Sequence, residues 1–98
     1  MNIMHKYIDH VNEELEGAKD YAEKYIDFKA RGNTARSNAY KSMAQDELRH
    51  ASMVYDYAAQ DMEAIGRIYT LPEEMQDGWE HFIKHYAECT AKIKLMLA

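Results

Sequence analysis

"YKSMAQDELRHASMVYDYAAQDMEAI", residues 40–65, decides the fold of this chain. At about 100° per residue, Tyr40, Met43, Ala44, Ala51, Val54, Tyr55, Ala58, Met62 and Ile65 fall on one stripe of an α-helix. Glu47 projects near the centre of that apolar stripe, His50 lies on its edge, and Arg49 points the other way. The stretch therefore reads as a helix that carries an acid where a core residue is expected. It also holds the one E-x-x-H spacing of the chain, Glu47 and His50.

Breakers flank this helix at "RGNTA" (31–35) and "YTLPEEMQDG" (69–78). They leave three segments long enough for substantial helices, roughly 3–31, 34–68 and 73–97. Thr34 is the expected cap of the second helix, and Thr70 or Leu71, ahead of Pro72, the expected start of the third. The first helix carries Tyr7, Val11, Ala18, Tyr21, Tyr25 and Phe28 on one stripe, widened by Ile8, Leu15, Ala22 and Ile26. Glu14 lies inside that stripe, whereas Glu13, Glu16, Asp20 and Glu23 fall on flanking or opposite faces. The third builds its apolar face from Met75, Trp79, Phe82, Ile83, Tyr86, Thr90, Ile93 and Leu97. Trp79 and Phe82 are its expected anchors onto the hairpin or a partner.

Ninety-eight residues make a single helical domain, 1–98, with one core. The composition is all-α in character, with one Pro, four Gly and eight Tyr. A net charge of -5 with interspersed cations supplies no basic stripe for a nucleic-acid backbone, so no nucleic-acid partner is expected. Neither a membrane-length apolar run nor a signal-peptide core is present, and a soluble cytoplasmic protein without a membrane partner is the expectation. The single cysteine, Cys89, forms no internal disulfide, so a metal would be held by carboxylates and imidazoles.

The short first connection predicts an antiparallel helical hairpin folded about Gly32 and Asn33. With the turn there, Glu14 stands opposite about Ala51, within one layer of Glu47 and His50. An unpaired buried carboxylate is costly, and two together repel unless a proton or cation is shared. Neither stripe offers a Lys or Arg at that level. A divalent cation would neutralise both acids and use His50, and such mixed ligation suits iron, manganese or zinc better than calcium or magnesium. Alternatively, Glu14 and His50 pair within a metal-free helical core, with Glu47 at a wet seam between subunits. His81, His85 and Glu88, at i, i+4 and i+7 on the third helix, read as a solvated polar face; were that face buried by oligomerisation, Glu88 would become a further ligand at about the height of His50.

These residues resemble the ferritin-like superfamily of ferritins, rubrerythrins and encapsulated ferritins. In that group a Glu followed seven residues later by a Tyr partners an E-x-x-H on the next antiparallel helix, matched here by Glu14, Tyr21, Glu47 and His50. The run "EELEGAKDYA" (13–22) is similar to the first helix of encapsulated ferritins, and the resemblance covers about residues 7–65. It implies a three-helix ferritin-like fold with half of a dinuclear site. A bundle-type centre takes a Glu from each of two helices and an E-x-x-H from each of the other two, so two copies of this hairpin would complete it. The resemblance thus implies a homodimer or higher homo-oligomer with a four-helix core and two iron ions per dimer interface. Manganese or zinc are alternatives. It further implies ferroxidase activity or iron handling, with Tyr21 orienting a ligand carboxylate. A metal-free or structurally metallated assembly module is the other reading left open.

Overall fold

Gly32 makes the turn on which the hairpin depends, with a φ of 76°, in the left-handed region that favours glycine. In the computed structural model, which describes residues 2–98, α1 (Asn2–Ala30) ends there and α2 (Thr34–Ile68) begins. The amides of Gly32 and Asn33 close back onto the carbonyls of Lys29 and Phe28, which satisfies the frayed end of α1. Asn33, not Thr34, caps α2: its Oδ1 accepts from the Arg36 amide at 3.1 Å. Thr34 is already the first helical residue, so the capping position falls one residue earlier.

The third helix, α3 (Glu73–Met96), starts from Pro72 rather than from Thr70 or Leu71. Pro72 has no side chain to cap with, but its carbonyl accepts from the amides of Met75 and Gln76 at 3.0 Å each. Gln76 then reaches back to the Leu71 carbonyl, and Glu73 and Glu74 face the positive end of the helix dipole. No strand occurs among the described residues, and no helix among them is long and apolar enough to cross a membrane.

Small residues set the distance between α1 and α2. Ala18 and Ala22 share the seam with Ala44 and Ala51, all fully buried, with Val11 and Leu15 filling the remaining volume. Only short side chains on both helices allow backbones to come this close, and the closeness is what brings groups at the edge of the seam together. Tyr7 ties the base of the seam by donating to Asp61 at 2.6 Å, and this bond raises its own pKa. It is half-buried rather than a core residue.

Along one side of the seam α3 runs parallel to α1. Tyr55 of α2 is stacked on Tyr86 at 4.1 Å between ring centres and is flanked by Trp79 and Phe82, the anchors read from the sequence. Met4, Met62 and Met75 close the base, while Ile93 and Leu97 are buried farther along. Ile26, Met43 and Ile83 depart from their expected burial and are exposed. Ile26 stands four residues beyond Ala22, where the hairpin outruns α3, and Ile83 turns away from Tyr55 on the outer edge of its stripe. The result is a rod of 55 × 18 × 17 Å whose second side, across the seam from α3, has no covering helix.

Candidate metal centre

On that uncovered side the hairpin assembles Glu14, Glu47 and His50. One ligand atom from each lies within 4.8 Å of the others, and this is the group of three or more metal-ligating side chains found among the described residues. Glu14 comes from α1 and the other two from successive turns of α2, so the cluster exists only because the Ala-lined seam is narrow. His50 places Nδ1 3.7 Å from Glu14 Oε2. The Glu14 side chain is 20% exposed and that of His50 is 44% exposed, so the layer is a half-open cup and not a sealed core.

Two residues not singled out in the sequence complete the cup. His10, one turn before Glu14, sets Nε2 3.4 Å from Glu14 Oε1, so each oxygen of that carboxylate faces an imidazole. Its signal was the H-x-x-x-E spacing, which puts both side chains on one helical face. Gly17, one turn after Glu14, gives Glu47 its room: a Cβ at position 17 would stand 3.0 Å from Glu47 Oε2.

Tyr21 takes a different place from the one expected. Its ring is tilted against Tyr40 at 6.0 Å, and the described hydrogen bonds include none from its hydroxyl to Glu14 or Glu47. Seven residues of helix carry it about 10 Å beyond Glu14, and His10 stands beside that carboxylate. Glu88 is exposed on α3 and outside the cluster, because α3 occupies the other side of the seam. His81 and His85 are exposed as well, and His85 lies 3.6 Å from the thiol of half-buried Cys89. Asp46 faces outward to Arg49 at 3.5 Å.

The two carboxyls push each other's pKa apart. A hydrogen bond from Glu47 holds Glu14 below the ordinary value of 4.5, helped by His50 and His10 and opposed by burial. The same bond raises Glu47, as do burial and the Glu14 charge. Glu14, depressed, stabilises the fold above its unfolded value and loses that contribution as pH falls through its folded value. Glu47, raised, contributes fully below its unfolded value and loses that contribution as pH rises through its folded value. In the metal-free protein the pair therefore stabilises most between those two folded values, on either side of 4.5, and less toward neutral pH. A cation that displaces the proton of Glu47 would reverse the trend. Calorimetric titration with divalent metal in buffers of different ionisation enthalpy should show proton release, with affinity rising as pH is raised through the Glu47 value; a pH-independent affinity would refute the displaced proton.

Comparison with known proteins finds no family model, no curated protein and no solved structure that matches this chain.

Proposed function

We propose that the protein is a ferritin-like metal-binding protein whose Glu14, Glu47 and His50 form half of a dinuclear carboxylate and histidine site, completed by a second copy, and that its activity is the oxidation or handling of ferrous iron. The observation that carries this reading is the convergence of two carboxylates and an imidazole within 4.8 Å on the uncovered side of the hairpin. Paired acids with nothing but a proton between them are a poor structural element, since each repels the other once the proton is lost. They are a good ligand set for a divalent cation, and the borderline imidazole favours iron, manganese or zinc.

The donor set fits such an ion. Glu14 and Glu47 bring two negative charges, His50 brings a neutral nitrogen, and Gly17 leaves the Glu47 carboxylate free to lie against α1. His10 orients Glu14 from its other oxygen, in the way outer partners commonly fix ligating carboxylates. Ferrous ion is the substrate in this reading, and dioxygen the electron acceptor. What the chain's own residues do is gather the ion, supply charge that favours the ferric product, and give up the proton of Glu47. One hairpin offers three ligands, fewer than a bundle-type pair of ions takes, and the uncovered side has room for the second hairpin.

Aerobic addition of ferrous ion to the pure protein, with solution mass measured before and after chelation, tests this directly. Uptake of two iron ions per dimer, ferric absorbance above buffer and a chelation-sensitive dimer are the expected results; a chain that stays monomeric and takes up no iron when ferrous ion is supplied sinks the reading. The metal-free assembly module has one observation in its favour, that His10 and His50 each face an oxygen of Glu14 without an ion. It predicts a dimer indifferent to chelation. A zinc or manganese lock predicts a chelation-sensitive dimer with iron oxidation at background.

Gly17→Ala separates fold from site. Alanine in a helix interior is favoured over glycine by about 1 kcal/mol, so metal-free thermal stability should rise or hold. The new methyl would meet Glu47 Oε2 at 3.0 Å and turn the carboxylate aside. Metal affinity should fall by about 10-fold or more. Equal affinity in the variant would remove Gly17 from the site.

A further inference from the structure

The uncovered side of the hairpin carries a pattern of charge and apolar surface that specifies how a second copy docks. We infer that two chains pack these sides antiparallel, α2 against the partner's α2, with the tip of each hairpin on the base of the other and Arg36 paired with Asp61 of the partner subunit. The inference rests on the shared site proposed above and goes beyond it by fixing the orientation and the residues that enforce it.

The first observation is an unpaired cation. Of the four arginines, Arg49 and Arg67 each pair with a carboxylate of α2, and Arg31, in the turn, pairs with Asp27 of α1. Arg36 pairs with none among the described residues, and its guanidinium rests over the Phe28 ring at 5.8 Å. Lys24 and Arg31 stand nearby, over Tyr40 and Phe28. The hairpin tip is therefore cationic, in a chain whose net charge is -5. Acids gather at the other end, where Asp61, whose Oδ2 accepts from Tyr7 and whose Oδ1 has no partner among the described residues, and Glu63, paired with Arg67, share the last turns of α2 and Glu73, Glu74 and Asp77 begin α3.

The second observation is register. A two-fold axis perpendicular to α2 and level with the midpoint of Glu47 and His50 brings Glu47 opposite the partner's His50, as a shared centre needs. That axis fixes everything else. Arg36 lies 11 residues before Glu47 and Asp61 lies 11 residues after His50, so each stands about 19 Å from the axis and at the same height across the interface. Met43, four residues before Glu47, meets the partner's Val54, four after His50, with Met53 beside it. Met43 and Met53 are exposed by 42% and 47% in the single chain, an apolar surface that this packing covers.

The alternative two-fold, along the helices, fails on charge. It brings both tips together and sets Lys24, Arg31 and Arg36 of each chain against the same cations of the other. Like charges placed so are repelled, whereas the antiparallel arrangement meets each tip with acids.

Crosslinking reads the orientation. In a Cys89→Ser background, the double variant Met43→Cys/Met53→Cys treated with a short bis-maleimide should give covalent dimers in high yield, and each single variant should give few. Crosslinking of the single variants to themselves would overturn the antiparallel arrangement, as would a metal-bound dimer that crosslinks in none of the variants. A monomer at saturating metal would overturn the shared site together with this inference, so the two failures are distinct. A charge exchange gives an independent readout: Arg36→Glu should weaken dimerisation at low salt by about 10-fold, and adding Asp61→Arg should restore it. Circular dichroism confirms that each variant folds. No loss in Arg36→Glu, or no rescue in the double variant, refutes the pairing.

Discussion

Replacing Glu47 by alanine should bring ferrous oxidation to the buffer background, reduce metal retention by at least about 100-fold and abolish the chelation-sensitive dimer, while the metal-free chain becomes no less stable. The expectation combines two opposed effects of one carboxylate. With metal, Glu47 supplies a ligand and one of the two charges that neutralise it. Without metal, it is the partner forced to keep a proton, pushed up by its bond to Glu14, by burial and by the Glu14 charge. Removing it relieves that arrangement and leaves Glu14 between His10 and His50. Metal analysis after gel filtration, the initial rate of ferric absorbance and a thermal melt in chelator measure the three quantities on one preparation. His50→Ala is the internal comparison: it should lose metal without the gain in metal-free stability, because it removes an imidazole and leaves both carboxyls. Wild-type oxidation rates in Glu47→Ala would discard the site outright, and a large loss of metal-free stability would show that Glu47 is a structural residue.

Such opposition between stability and function explains which parts of this protein were legible in its sequence. Helix extents were, because one apolar stripe per segment and two breakers leave few alternatives, and the expected ranges agree with α1, α2 and α3 to within a residue or so. The meeting of Glu14 with Glu47 and His50 was legible for a related reason. Each acid breaks its stripe, and a turn centred on Gly32 fixes their relative height. What could not be read was the side of the seam that α3 takes. Both sides of the hairpin carry apolar residues, and the choice falls to Tyr55, whose ring stacks on Tyr86 and so draws α3 away from Glu14. Glu88 follows α3 and, within one chain, stands outside the group of Glu14, Glu47 and His50. The contact of Tyr21 with the Tyr40 ring was not legible either, because sequence spacing gives the face of a side chain but not its reach. His10 and Gly17 were overlooked for opposite reasons. An exposed-face histidine has no periodicity to violate, and a helical glycine suggests a weak spot until the Glu47 carboxylate is seen lying against it.

The narrow seam is itself open to test, and Ala51→Leu should show the second large effect. Ala51 is fully buried where α1 and α2 are close, level with Glu14 and one residue from His50. Three added carbons have no cavity to enter, since Ala18, Ala22 and Ala44 are equally buried around the seam. Overpacking of this kind costs about 1–3 kcal/mol, and for a domain of this size each kcal/mol moves the melting temperature by about 4–8 °C. The helices must separate or shift to admit the side chain. Because Glu14 stands on one helix and Glu47 on the other, separation breaks their shared hydrogen bond and opens the cluster to beyond the span of a single ion. A melt in chelator should therefore show the drop in stability, and metal titration at a temperature where the variant is still folded should show weaker binding. The raised Glu47 and lowered Glu14 should both return toward ordinary carboxylate behaviour, which carbon-detected NMR titration of the glutamate side chains would read. A variant that loses stability but keeps both the metal affinity and the split titration would mean that the carboxylates are held together by something other than the alanine seam. Loss of all three at once would tie the small-residue pattern of the sequence to the chemistry of the site.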